Sequence, residues 1–110
     1  MTTTGAVALY VTCPSLAVAD TIALHLLEAR LAGSVNILPG AHSVYWWKGR
    51  IERADEVVLI AKTMAGRVAE ATAAIAAAHP YDTPAIVAFD IIAGSRRYLD
   101  WLAAEARGAS

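Results

Sequence analysis

The chain has 110 residues, of which 57% are hydrophobic and 17% charged, with a formal net charge of -1. That apolar content excludes a disordered polyelectrolyte, and the length suits one packed core, so residues 1–110 are read as a single domain with residues 1–5 and 108–110 expected to be flexible. The near-neutral balance leaves no basic stripe for nucleic acid, and charged or polar residues punctuate every apolar run before it reaches bilayer length, so neither nucleic acid nor a membrane is expected as a partner.

The opening Met-Thr-Thr-Thr-Gly has no basic region, and the first apolar stretch stops at Thr12-Cys13-Pro14, which argues against a signal peptide. The lone Cys13 suits a reducing compartment, and a cytoplasmic location is expected. A mean hydropathy of +0.47 is high for a solitary domain of this size, which points to surface buried against another chain.

The short apolar run Ala6 to Val11 reads as a buried strand. From Ser15, a plausible N-cap, the spacing turns helical, with Ala19, Ile22, Ala23 and Leu26 on one stripe, Leu27 and Leu31 widening it, and Gly33 as the C-terminal stop. Ser34 to Leu38 returns to strand character, Pro39-Gly40 marks a bulge or bend, and Ser43 to Trp47 resumes the strand. Lys48-Gly49-Arg50 is then a hairpin turn, with Gly49 taking the unusual dihedral, and Ile51 to Thr63 is the returning strand. Met64 to Ala78 is a second helix with Val68, Thr72 and Ile75 on its apolar side, ending before Pro80. Ala85 to Ile91 is a last strand, and Arg96 to Arg107 a last helix anchored by Tyr98, Leu99, Trp101 and Leu102.

The order βαββαβ plus a C-terminal helix predicts an α+β ferredoxin-like sandwich, with two helices on one face of a four-stranded antiparallel sheet. The other face is left open. Val57, Leu59 and Ala61 alternate with the equally apolar Val58 and Ile60, and Ile86 to Phe89 is apolar on both sides as well. A second copy of the chain is the economical cover for such a face, so a homo-oligomer is expected.

Tyr10-Val11-Thr12-Cys13-Pro14, Ser34 to Gly40 followed by Ser43, Tyr45, Trp47 and Gly49, Lys62-Thr63, His79-Pro80-Tyr81 with Pro84, and Tyr98 to Leu102 together resemble the CutA divalent-cation tolerance family. The resemblance runs in register from about Ala8 to about Arg107. It implies a ferredoxin-like protomer in a homotrimer, with sheets turned towards one another and long hairpin arms crossing between subunits. It also implies a role in tolerance of copper and other divalent metals without a catalytic reaction. Several metal-competent positions of the family are altered: Ser34 stands where the family has cysteine and Ala85 where it has glutamate, and Val11 and Ala78 replace a cysteine and a second histidine of some members.

What remains for copper or another divalent cation is His79, with Cys13 as a neighbour, and two such donors on one ion give weak binding. His79 also lies at a helix end, where capping is the competing role. His25 reads as a surface residue and His42 as a loop polar residue. Tyr45, Trp46 and Trp47 are expected at the trimer interface, and Glu52, Arg53, Asp55 and Glu56 as a solvated charge cluster. Lys62, at the end of an apolar strand, is a candidate anion contact, and alignment with the family places it with Tyr81 in an intersubunit ligand pocket. Two other readings compete with cation handling: a regulatory trimer like the PII signalling proteins, holding a small anion between subunits, and a structural interaction module. No nucleophile with a neighbouring base, Gly-rich phosphate loop or productive carboxylate pair supports an enzyme.

Overall fold

A computed structural model describes residues 4–108. Four strands, β1 (Ala6–Cys13), β2 (Ser34–Trp47), β3 (Arg50–Met64) and β4 (Ile86–Asp90), form one antiparallel sheet in the order β2-β3-β1-β4. Helix α1 (Leu16–Glu28) follows β1, α2 (Val68–Ala78) follows β3, and α3 (Arg96–Glu105) closes the chain. Among the described residues, no helix is long and apolar enough to cross a membrane. This is the expected βαββαβ arrangement with its extra helix.

Side-chain alternation divides the sheet into two faces. Leu9, Val11 and Cys13 of β1 and Val57, Leu59 and Ala61 of β3 point to the helices, where they pack with Ala19, Ile22 and Leu26 of α1 and Ala71 and Ile75 of α2. On α2 the buried stripe is therefore Ala71 and Ile75, flanked by Val68, while Thr72 is only half-buried. The α1 stripe of Ala19, Ile22, Ala23 and Leu26 falls as expected with Leu31 beside it, whereas Leu27 is exposed, and the Ser15 side chain accepts the Val18 N–H as the N-cap.

Two helix ends differ most from the sequence reading, each for a hydrogen-bonding reason. Helix α1 ends at Glu28, five residues before the expected glycine: Arg30 takes a positive φ of 59°, its N–H reaches Leu27 O, and the Leu31 N–H reaches Leu26 O. This is a Schellman closure with arginine where glycine is usual. Gly33 serves a different purpose, since a Cβ there would lie 2.7 Å from Leu102 Cδ1. The second helix begins later than Met64, because the Ala65 N–H donates to Gly5 O and prolongs the β1–β3 ladder; a 3-10 turn over Ala65–Arg67 then leads into α2. In α3, Leu102 is fully buried and Leu99 half-buried, whereas Tyr98 and Trp101 lie exposed against each other.

The described residues nearest the chain ends are hydrogen-bonded to the fold. Thr4 Oγ1 donates to Ile91 O, Gly5 holds Ala65, and the Gly108 N–H donates to Arg30 O; residues 1–3 and 109–110 lie outside the described residues.

β2 and β3 extend beyond the helices as a long arm. Leu38 pairs with Val58 but Ala41 with Glu56, so β2 uses one residue more than β3 across Pro39-Gly40. The bulge reverses the parity of β2 and places Ala41, Ser43, Tyr45 and Trp47 on the face opposite the helices. At the tip the turn residues are Lys48 (φ 50°) and Gly49 (φ 78°), while Arg50 already pairs with Trp47. Positive φ at both central residues suits the right-handed twist of a tight hairpin.

Candidate metal and ligand sites

Cys13 ends β1 on the helix side of the sheet, fully buried. Burial, helped by the charge of Glu56, raises its thiol above the ordinary value of 9.0, so the thiolate that a metal needs is disfavoured. His79 follows α2 and is also buried. Its Nδ1 accepts the Tyr81 N–H at 3.2 Å, which places the ring proton on Nε2, and Nε2 donates to Thr12 O at 2.8 Å.

Both imidazole nitrogens are thus engaged. The ring makes neither a helix-capping bond nor an open ligand; it ties the end of β1 to the turn after α2. A cation could use Cys13 and His79 only by displacing a hydrogen bond and a thiol proton. Among the described residues no group of three or more His, Cys, Asp or Glu is placed to hold a metal ion. The residues present are a poor fit for a tightly held ion.

Glu56 was expected in a solvated cluster, and the structure corrects this. It is only 7% exposed and accepts the Tyr81 hydroxyl at 3.1 Å. Its parity was the available signal, since Glu56 shares a face with Val58, Ile60 and Lys62 rather than with Asp55. Burial, then the hydrogen bond to Glu56 and its charge, raise the Tyr81 phenol above its ordinary value. The Tyr81 ring also leans on His79, with centroids 4.7 Å apart. Asp55, on the other face of the arm, pairs in the open with His42 at 2.7 Å.

Lys62 and Tyr81 do not meet within one chain. Lys62 lies six positions along β3 from Glu56, the Tyr81 partner, about 20 Å at the rise of an extended strand. Lys62 Nζ instead sits 4.9 Å from the centre of the Tyr98 ring, and Tyr98 Oη lies 3.1 Å from Ser34 Oγ. Tyr98 and Ser34 escaped the sequence reading as site residues because α3 reaches this corner only through tertiary packing.

The aromatic arm residues are exposed but do not share a face. Tyr45 and Trp47 lie on the side of Glu56, and Trp46, 73% exposed, lies on the other with Ile51. His25 is exposed on α1.

The sequence model of the CutA1 divalent ion tolerance protein family matches residues 7–105. The divalent-cation tolerance protein CutA of Archaeoglobus fulgidus is 45% identical over 94 residues, spanning 86% of this chain and 91% of its own length. The protein of the same name from Thermus thermophilus is 46% identical over 92 residues, spanning 84% and 89%. Among solved structures, CutA from Xylella fastidiosa superposes with a TM-score of 0.90 at 38% identity, covering 93% of this chain and 98% of that one. The matched segment takes in the sheet but for Ala6, the arm, both packing helices and the whole of α3. By its sequence and its fold alike, this chain belongs to the CutA1 divalent ion tolerance family.

Proposed function

We propose that this chain acts in divalent-cation tolerance as a non-enzymatic homotrimer that binds copper or a similar cation weakly. The observation that carries this reading is the uncovered sheet face. Val87 and Phe89 of β4 are 48% and 56% exposed, and Leu38, Tyr45 and Trp47 of β2 lie on the same side. Fully burying a side chain of this kind is worth about 1.5–3 kcal/mol, so a face with several of them favours self-association. The trimeric count comes from the family resemblance.

Weak binding follows from the chemistry of Cys13 and His79. A cation that takes the His79 Nδ1 lone pair competes with the Tyr81 N–H, and one that takes Cys13 must expel a proton held by burial. Calorimetric titration of metal-free protein with copper(II) and with zinc, with oligomer mass measured by light scattering on the same sample, tests both halves. The expected result is a trimer that binds about one ion per subunit, with affinity lost in His79→Ala. A trimer that binds no ion would remove direct cation binding, and a monomer would remove the role given to the open face.

A further inference from the structure

The corner of the open sheet face reached by α3 gathers a cation and two hydroxyls. Lys62 and Ser34 are cross-strand partners, so their side chains leave the sheet side by side. Tyr98, in the first turn of α3, sets its ring against the Lys62 ammonium and its hydroxyl against Ser34 Oγ. No ion pair among the described residues neutralises Lys62. The single hydrogen bond between Ser34 and Tyr98 uses one hydroxyl proton and leaves the other free to donate.

The field at this corner is positive. Burial alone would raise the Tyr98 phenol, but the adjacent Lys62 ammonium and the hydrogen bond with Ser34 outweigh it and lower the phenol below its ordinary value. Trp101 lies beside Tyr98 with ring centres 5.5 Å apart, and both rings are exposed, which puts an apolar shelf next to the donors.

We propose that Lys62, Ser34 and Tyr98 form a binding site for a phosphate group, free or carried on a small monoester whose organic part rests on the Tyr98–Trp101 shelf. A lysine ammonium acts as a point charge that approaches a tetrahedral oxyanion from any side, and a hydroxyl proton adds the direction. The site shares no residue with Cys13 or His79, so it stands or falls independently of cation binding.

Calorimetric titration of the assembled protein with inorganic phosphate, and separately with phenyl phosphate, tests the site at low ionic strength, where an exposed charge is least screened. Saturable binding to the wild type is expected. Lys62→Met should weaken it by about tenfold or more and Tyr98→Phe by about threefold, since charge-assisted bonds are the stronger ones. Tighter binding of phenyl phosphate identifies a monoester as the ligand class, and equal affinity identifies free phosphate. If neither compound binds the wild type, or if both variants bind as the wild type does, the site does not exist. Tyr98→Phe keeps the ring and decides the matter alone if Lys62→Met does not fold.

Discussion

His79 shows how one side chain can be prominent in a sequence and still be misassigned. Its place after an alanine-rich helix suggests either a cap or a ligand, yet the ring bonds Thr12 O and the Tyr81 N–H and has no nitrogen left over. The Tyr81 N–H is two residues away, but the Thr12 carbonyl is brought in from 67 residues away, and no local spacing reports that second partner. The two phenols make a similar contrast. Tyr81 faces the Glu56 carboxylate and Tyr98 faces the Lys62 ammonium, so their ionisation is displaced in opposite directions from the ordinary 10.0. An ultraviolet phenolate titration is expected to show one early step that Tyr98→Phe removes and one late step that Tyr81→Phe removes. The linked stability follows by sign: the lowered Tyr98 contributes stability present above the ordinary value and lost as pH falls through its folded value. The raised Tyr81 contributes stability present below the ordinary value and lost as pH rises through its folded value. Coincident steps for the two residues would contradict the assigned partners.

Secondary-structure elements were legible where their signals are local. The Ser15 cap, the Pro39-Gly40 bulge and the stop before Pro80 lie where the sequence places them, because each depends on backbone chemistry within a few residues. The end of α1 was misread because glycine is the usual terminator, whereas Arg30 takes that position, with Glu105 3.4 Å from its guanidinium and Gly108 bonded to its carbonyl. Gly33 serves packing instead, giving Leu102 of α3 room to dock. Gly33→Ala is therefore expected to destabilise the protein by about 1–3 kcal/mol, the usual cost of overpacking a filled core. A lower thermal midpoint with a loosened C-terminal helix in hydrogen exchange would show this, and an unchanged midpoint would mean that Leu102 can move aside.

At the scale of the whole molecule, the two sheet faces have different fates. One is sealed by α1 and α2, while the other carries Val87, Phe89 and Leu38 into solvent in a single chain. If subunits close over this face, Phe89→Glu should lower the oligomer mass in light scattering while leaving the far-ultraviolet circular dichroism intact. Within one chain Phe89 is 56% exposed and its ring meets Tyr10 edge-on, a contact worth about 0.5–1.5 kcal/mol, so unfolding is not the expected route. An unchanged mass would place the subunit contact elsewhere, with the arm as the next region to alter.

The sequence by itself determined the order of elements, the sheet with one sealed and one apolar open face, and the family to which the chain belongs. The elements and faces follow from periodicity and turn chemistry, properties of residues near one another in the chain, and the family follows from the resemblance of motifs spread along it. Only the tertiary structure decided that Glu56 is buried against Tyr81, that His79 has no free nitrogen, and that Lys62 faces Tyr98 and Ser34. Apart from the Tyr81 N–H on His79, which lies two residues away, each of these joins residues separated by a helix or more of chain. A side chain's partners, and with them its charge and chemistry, are set by which elements pack together, and that is fixed by the core as a whole.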